Sequence, residues 1–388
     1  MTATLIISFC LILLIAYVFD LTSSKTKIPS VILLLALGWS IKQFTTLFSF
    51  QLPNFSSFLP IIGTIGLILI VLEGSLELEL NQSKIGLLKL SFFGALIPIF
   101  VLAFLIALAF NFFGNYGIHE SLINAIPFCV ISSAIAIPSV RNLSKKHKEY
   151  VIYESSFSDI IGVLLFNFIA FNLTINASSF GIFVMQILII TIISVISTIG
   201  LSLLLNKIDH HIKFIPIILL VILIYEISKI FHLPALIFIL FFGLTIGNID
   251  ELKRFKWIDK FQPDELKKEV TKFKELIIEA AFLIRASFFL LFGYLIETME
   301  VLNTKTLFWA VLIVFLIFVF RYVQLKLSRL STNTLLFVAP RGLISILLFL
   351  SIDPTNKIDI VNNSLIIQVI ILTSILMMIG LMSKKKMN

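Results

Sequence analysis

The sequence predicts an all-α integral membrane protein of about 13 transmembrane helices, with two inverted six-helix repeats whose helices 5 and 12 are interrupted. Three observations support this fold class. The chain of 388 residues is 59% hydrophobic and only 13% charged, whereas soluble domains are about 25% charged. The apolar residues form membrane-length runs, and the basic residues concentrate in alternate loops. A short motif also occurs twice, in spans that are predicted to run in opposite directions.

Runs of about 17–30 mostly apolar residues give the positions of the spans, because about 20 helical residues cross a bilayer. Numbered in chain order, the spans are predicted at 2–22, 28–44, 57–76, 84–112, 120–141, 150–173, 179–206, 213–230, 233–249, 275–297, 304–325, 332–352 and 361–383. The first run lacks a basic amino-terminal region, so we interpret it as a retained span. We expect a single transmembrane domain with repeat one at 1–173, a linker helix at 174–206 and repeat two at 213–383.

Basic residues mark one set of loops and predict the orientation. The members of this set are Lys25, Lys27, Arg141, Lys145, Lys146, Lys148, Lys207, Lys213, Lys253 to Lys268, Lys326, Arg329 and Lys384 to Lys386. The positive-inside rule then predicts a cytoplasmic carboxyl terminus and an external amino terminus. The net charge of +8 thereby has a topological explanation and does not indicate nucleic acid. The basic loop at 250–274 is expected to rest on the cytoplasmic lipid surface, with a regulatory or partner-binding role as the alternative.

The repeated motif lies in spans 2 and 9. Span 2 reads PSVILLLALGWSI from Pro29, and span 9 reads PALIFILFFGLTI from Pro234. Because seven spans separate the two copies, they run in opposite directions, which indicates an inverted repeat. Span 5 then corresponds to span 12, and each contains a proline, Pro138 or Pro340, that removes a helical hydrogen bond. Interrupted helices at matching positions are typical of transport sites.

The ionisable residues of most interest inside the predicted spans are Glu73, Glu154, Asp159, Glu226, Arg285, Arg321 and Arg341. An aspartate or arginine at the centre of a helix costs about 2.5–3.5 kcal/mol on the insertion scale. Ion pairs between these acids and bases are therefore expected, because an unpaired buried charge destabilises a fold. Glu226 lies near the end of its span, where its side chain can reach water.

Glu154 and Asp159 point in different directions from one helix. They are five residues apart, which corresponds to about 140° around the helix axis. Ser155 and Ser156 share the face of Asp159, and a carboxylate beside hydroxyls suits a small cation or a proton. We therefore predict an ion or proton site at Asp159 and a structural ion pair at Glu154, with the reverse assignment as the alternative in each case.

The segments around Asp159 and Arg341 resemble motifs of the monovalent cation/proton antiporters of the NhaP and Na⁺/H⁺-exchanger type. YESSFSDIIG, from Tyr153, resembles the family's Glu-Ser-x-x-(Asn/Asp)-Asp helix, with Asp159 matching the ion-binding aspartate. APRGLIS, from Ala339, is similar to the Gly-x-Arg-Gly motif, with Arg341 and Gly342 in the interrupted twelfth helix.

Three further segments carry the same resemblance. VLEGSLELEL at 71–80 is similar to the acidic-glycine segment of the third helix. FLIRASFFLLFG at 282–293 resembles the tenth helix, with Arg285 at its basic position. Arg321 matches the arginine that members pair with the glutamate matched by Glu154.

The resemblance implies exchange of Na⁺, Li⁺ or K⁺ for protons by alternating access, often in a homodimer, without a cofactor. The expected binding residues are Asp159, Ser155, Ser158, Ser132 and Ser133. With one carboxylate at the site, exchange is expected to be electroneutral, although a protonatable partner such as Glu73 would change the stoichiometry. The Lys-, Ile-, Asn- and Phe-rich composition suggests a bacterium and hence its cytoplasmic membrane.

Two departures from the family pattern leave alternatives open. Many members carry Thr-Asp-Pro on the fifth helix, where this chain has Ala136-Ile137-Pro138, and the preceding Ser132-Ser133-Ala134 is closer to the potassium-efflux-type relatives. Ser158 stands where asparagine or a second aspartate is usual. A potassium-efflux-type transporter and a transport-deficient membrane sensor of the same fold are therefore the competing hypotheses. An enzyme is not expected, because the sequence has no phosphate-binding glycine loop, His-Glu-x-x-His motif or nucleophile elbow.

Overall fold

The computed structural model describes residues 2–26, 28–48, 55, 57–207, 212–252 and 263–383. All regular structure in this part is helical. The α-helices are α1 Thr2–Thr26, α2 Ser30–Leu47, α3 Phe58–Glu77, α4 Ile85–Gly114, α5 Ile118–Ala125, α6 Ser133–Ser139, α7 Lys145–Phe171, α8 Ala177–Lys207, α9 Phe214–Ile230, α10 Leu236–Gly247, α11 Ile249–Leu252, α12 Pro263–Leu295, α13 Thr298–Val301, α14 Thr304–Leu327, α15 Thr332–Leu335, α16 Leu343–Leu350 and α17 Asn363–Met382. Short 3₁₀ helices occur at Gln82–Lys84, Ile126–Phe128 and Pro354–Asn356.

The helices confirm the all-α membrane class. Nine helical segments of the described part are long and apolar enough to cross a membrane, and Cys10–Ser23 and Leu236–Gly247 are shorter apolar helices. Residues 209–211, the part of the predicted basic loop at 253–262 and residues 384–386 lie outside the described residues.

Spans 5 and 12 are both interrupted, as predicted, but the break in span 5 lies elsewhere than the proline suggested. Helix α5 continues into the 3₁₀ helix that contains Pro127, and residues 129–132 then leave the helical conformation before α6 begins. Pro138 lies inside α6. The break in span 12, at 336–342, contains Pro340 itself. Pro138 is the sixth of the seven residues of α6, so the helical hydrogen bond that it cannot donate lies in the last turn. A break occurs instead where the backbone groups find hydrogen-bond partners outside their own helix.

The chain packs as two units. Unit 1 comprises the described residues of Met1–Thr64, Leu90–Gly162 and Leu283–Asn388, and unit 2 those of Ile65–Lys89 and Val163–Phe282. Both interrupted spans belong to unit 1, where α14 packs along α17 and α16 packs on the 3₁₀ helix of span 5. In unit 2, α8 packs along α10.

In unit 1, glycines allow the backbones of α2 and α12 to come into direct contact. A Cβ atom on Gly38 would come within 2.2 Å of the carbonyl oxygen of Leu290, and one on Gly293 within 2.4 Å of the carbonyl oxygen of Leu35. Small residues at helix crossings are a common way of packing membrane helices, because dispersion contacts replace the hydrophobic effect there.

The second copy of the repeated motif has the same kind of contact in unit 2. A Cβ atom on Gly243 of α10 would lie 1.8 Å from the Ser75 hydroxyl oxygen of α3, and one on Gly247 would lie 3.0 Å from the Leu76 carbonyl oxygen. The motif glycine of span 2 thus contacts span 10, and that of span 9 contacts span 3. The inverted repeat matches span 2 with span 9 and span 3 with span 10. The contact between spans 2 and 10 therefore corresponds to the contact between spans 9 and 3, and this correspondence supports the repeat.

Replacing Gly293 by alanine is expected to destabilise the protein, because the added methyl group meets backbone atoms that cannot move aside. Overpacking of this kind typically costs about 1–3 kcal/mol. The melting temperature of the purified Gly293→Ala variant should fall below that of the wild type. Gly200→Ala is the control, since a Cβ there has nothing within 4 Å. Equal melting temperatures for the two variants would contradict the close crossing.

Candidate functional site

The two interrupted spans meet at their breaks. The backbone N–H of Ser132 donates a hydrogen bond of 2.9 Å to the carbonyl oxygen of Pro340. Gly342 lies beside it, and a Cβ there would come within 2.7 Å of the Ser132 hydroxyl oxygen. The non-helical backbone of one break therefore satisfies part of the hydrogen-bonding capacity of the other, which a membrane interior requires.

Arg341 joins the breaks through carbonyl oxygens. Its Nε donates to the carbonyl of Phe128 at 2.7 Å and its Nη2 to the carbonyl of Cys129 at 3.2 Å, both at the end of the first half of span 5. Its Nη1 donates to the carbonyl of Ala339 at 2.7 Å, and its backbone N–H donates to the Thr373 hydroxyl of α17. A helix end leaves such carbonyls without intrahelical partners. The buried guanidinium therefore acts as the cap of the interrupted helix.

Asp159 is fully buried on α7 and contacts the second half of span 5. Ser133, the first residue of α6, donates a hydrogen bond from its hydroxyl to Oδ2 of Asp159. The other oxygen, Oδ1, has no hydrogen-bond partner among the described residues. An ionised carboxylate is costly in such surroundings. The arrangement therefore suits a carboxyl group that carries a proton or binds a cation.

Two serines that are close in sequence to Ser133 and Asp159 also have buried hydroxyls with no hydrogen-bond partner in the described part of the chain. Ser132 precedes Ser133 in the break of span 5, and Ser156 precedes Asp159 by one helical turn on α7. Hydroxyl oxygens and carboxylates are hard ligands of the kind that small cations prefer. The region thus offers uncharged oxygen atoms whose hydrogen-bonding capacity is still unused.

The hydroxyls of Ser155 and Ser158, both predicted as binding groups, contact backbone atoms. Ser155 donates to the carbonyl of Ile152 within α7, at 3.3 Å. Ser158 accepts a hydrogen bond of 2.8 Å from the backbone N–H of Ile131. Ser158 therefore attaches α7 to the break of span 5. Of the predicted hydroxyls, the one in contact with Asp159 is that of Ser133, because the break turns the start of α6 toward α7.

Glu154 and Arg321 form a buried, bidentate ion pair. Nη1 of Arg321 contacts Oε1 of Glu154, and Nη2 donates to Oε2 at 2.7 Å. Tyr150 donates to Oε1 at 2.8 Å, and the amide of Gln324 donates to the same oxygen at 2.9 Å. Paired geometry with additional hydrogen bonds is the condition under which a buried ion pair is tolerated.

The same cluster holds the interrupted twelfth span in place. Arg321 donates through Nε to the carbonyl of Leu335 and through Nη2 to the carbonyl of Val338, each at 3.3 Å. The Gln324 amide also donates to the carbonyl of Gly94 on α4, at 2.9 Å. Helices α4, α7 and α14 are thereby connected to the end of α15. Gln324 was not among the residues predicted from sequence, although its spacing of three residues from Arg321 places both on one helix face.

A small cavity lies between the ion-pair cluster and the crossing. Its volume is about 20 Å³, and its lining includes Arg321, Gln324, Arg341 and Ser158. The rest of its lining is mainly apolar. The two buried arginines therefore face the same small cavity.

The remaining predicted charges lie on other helices. Arg285 is buried on α12 in unit 1. Glu73 on α3 and Glu226 on α9 belong to unit 2, and both are partly buried.

Removing Arg321 alone is expected to destabilise the protein by about 3–5 kcal/mol, because the Glu154 carboxylate stays buried without its partner. Adding Glu154→Gln to Arg321→Ala should restore part of the lost melting temperature and expression. The restoration should be partial, since the carbonyls of Leu335 and Val338 still lack a donor. Lys326→Ala, at the exposed end of the same helix, is the control and should change little. Strict additivity of the two changes would argue against a direct pair.

Comparison with known proteins places this architecture in a family. The profile described as "Sodium/hydrogen exchanger, transmembrane" matches residues 10–384. The fold is similar to the structure of the sodium proton antiporter MjNhaP1 from Methanocaldococcus jannaschii at pH 8, with a TM-score of 0.69 and 19% identity over 97% of this chain and 100% of that one.

A second structure of that antiporter, an electron microscopy map, matches with a TM-score of 0.65 and 19% identity over 98% of this chain and 95% of that one. No curated protein sequence matches the chain significantly. The family profile covers nearly the whole sequence and confirms the resemblance drawn from the motifs. The chain belongs to the sodium/hydrogen exchanger family.

Proposed function

We propose that this protein exchanges a monovalent cation for protons by alternating access and that the two compete for the carboxyl group of Asp159. One observation carries the proposal. Asp159 is fully buried beside the break of span 5, with one oxygen bound by Ser133 and the other without a partner in the described chain. Membership of the exchanger family supports the same reaction.

Competition for one buried carboxyl group is enough to couple the two ions. An empty, ionised Asp159 is expensive to move through the barrier between the two access states, because it would cross low-dielectric surroundings uncompensated. A proton or a cation removes that cost. The protein therefore switches between its two access states when Asp159 carries a proton or a cation, but not when Asp159 is empty. A cation that crosses the membrane in one direction then requires a proton to cross in the opposite direction.

The neutral oxygens around Asp159 complete the binding site. We assign the hydroxyls of Ser133, Ser132 and Ser156 as candidate cation ligands, because Ser133 already contacts the carboxylate and the other two have no partner among the described residues. Ser158 and Arg341 act by holding the break of span 5. Na⁺, Li⁺ and K⁺ are the candidate ions. K⁺ deserves testing because Ser132-Ser133-Ala134 resembles the potassium-efflux-type segment.

Loop charges and composition support the proposed orientation and location. The strongly basic loops support a cytoplasmic carboxyl terminus and an external amino terminus. The Lys-, Ile-, Asn- and Phe-rich composition supports the cytoplasmic membrane of a bacterium. The homodimer that the motif resemblance implies is the proposed functional assembly.

Asp159→Asn should abolish exchange, because an amide does not ionise and therefore has no negative charge for which a proton and a cation can compete. Proteoliposomes with a pH-sensitive dye are given Na⁺, Li⁺ or K⁺ in separate additions. Wild-type protein should move protons in response to at least one ion, and Asp159→Asn should respond to none while retaining the wild-type elution profile. Asp359→Asn, in an exposed loop, should exchange normally. A silent wild type that is correctly folded would favour the transport-deficient sensor.

Exchange should also be electroneutral, because one carboxyl group binds one cation or one proton. The initial rate should therefore stay the same when the membrane potential of the proteoliposomes is set to different values. This measurement uses an ionophore for an ion that the protein does not carry. A rate that rises with potential would show that a second protonatable group, such as Glu73, takes part in the cycle.

A further inference from the structure

A narrow polar crevice in unit 1 lies against α6, the short helix that begins at the candidate ion site. It has a volume of about 10 Å³, close to the minimum that one water molecule needs. Ser23, Ser30 and Ser139 form its polar lining, and Ala134 and Ile135 of α6 line it as well. Helix α6 begins at Ser133, the residue that contacts Asp159. The crevice thus lies along the short helix that begins at the ion site.

Asp20 lies at the edge of this crevice. Its Oδ1 accepts a hydrogen bond of 3.4 Å from the hydroxyl of Ser30, one of the lining residues. Its side chain is 15% exposed, so the carboxylate contacts both the lining and the outside. Asp20 is the only acidic residue before Glu73 in the sequence.

Arg141 contacts the other oxygen of the same carboxylate. It follows α6 directly, and its Nη1 lies 3.3 Å from Oδ2 of Asp20. The arginine side chain is 47% exposed. Partly exposed ion pairs at this distance are weak, because water screens them and the side chains lose freedom. A free cation can therefore compete with Arg141 for Asp20.

The chain near Asp20 is rich in positive charge, so a negative group there has a large effect on the local concentration of cations. Lys25 belongs to α1 and Lys27 follows this helix in the sequence, and α7 begins with Lys145 and Lys146. Clustered positive charge repels cations and lowers their local concentration, whereas a single carboxylate at an entrance raises it. Asp20 is the negative group that the hydrogen bond to Ser30 directs at the crevice.

We propose that Asp20 is the entry site of the exchanger, a weak binding site for the transported monovalent cation, and that Arg141 competes with the cation for it as a tethered positive charge. This inference rests on the proposed cation/proton exchange and adds a second carboxylate to it. Asp20 collects the cation, and Asp159 binds it for transport. Release of Arg141 frees the entry site and removes the link between α1 and the end of α6.

Substitutions of Asp20 and Arg141 should change the affinity for the cation in opposite directions. Everted membrane vesicles expose the face that we propose to be cytoplasmic, and the rate of exchange is measured against cation concentration at low ionic strength. Asp20→Asn should raise the KM for the cation at least about threefold with kcat unchanged. Arg141→Gln should lower the KM. The difference between Asp20→Asn and wild type should shrink in high salt, because ions screen the entrance.

A matched control separates this role from a structural one. Glu297 forms an exposed ion pair with Lys42 elsewhere in unit 1, at 2.5 Å. Glu297→Gln should leave the KM unchanged. If Asp20 and Arg141 served only as a structural pair, removing either would change the KM in the same direction, and that result would overturn the proposal.

A labelling experiment tests Asp20 without requiring transport. Ser139→Cys places a thiol on the crevice lining, and its reaction rates with positively and negatively charged methanethiosulfonates are compared. The parent chain corrects for reaction at Cys10 and Cys129. Asp20→Asn should lower the ratio of the cationic to the anionic rate, and Arg141→Gln should raise it. Unchanged ratios in both variants would overturn the entry site, even if the wild type exchanges cations. A wild type without exchange, but with the expected ratios, would overturn the proposed function and leave the cation-attracting entrance established.

Discussion

The structure depends on satisfying the backbone of two broken helices inside a membrane. Each unpaired N–H or C=O group in hydrocarbon costs several kcal/mol, so a break persists only where other atoms replace the helical hydrogen bonds. Here the replacement is mutual. Ser132 bonds to Pro340 across the crossing, and the buried Arg341 donates to carbonyls of both breaks. The candidate ion site has its geometry because the chain can leave the helix at this point and still meet its hydrogen-bonding requirements.

The buried charges divide into two kinds according to their surroundings. Glu154 has a bidentate partner in Arg321 and two further donors, so its charge is compensated and its position is held. Asp159, five residues along the same helix, receives a bond from Ser133 and keeps one oxygen free of partners in the described chain. The Glu154 carboxylate therefore has a structural role, and the Asp159 carboxylate can still bind a further group. The helix α7 presents them to different neighbours because they lie on different faces.

The interruption of spans 5 and 12 and the position of Asp159 inside a span were open to prediction from sequence, because they follow from local chemistry and hydropathy. Prolines in matched spans, charges in apolar runs and a repeated Pro-x8-Gly-x2-Ile pattern are all visible in one dimension. The break of span 5 was predicted at the wrong place, since Pro138 is accommodated in α6 and the chain departs from the helix at 129–132. The location of a break depends on where a crossing partner can accept its hydrogen bonds, which is a property of the packed structure.

The sequence by itself determined the membrane class, the alternation of spans and basic loops, and the set of charges that must be compensated, because these follow from hydropathy, residue spacing and the cost of charge in lipid. The tertiary structure alone decided which hydroxyl contacts Asp159, that Arg341 binds carbonyls of the breaks, and that Tyr150 and Gln324 complete the Glu154 cluster. It also brought Asp20 beside Arg141, residues that are distant in the chain. Contacts of this kind arise from the packing of helices remote in sequence, and no local pattern encodes them.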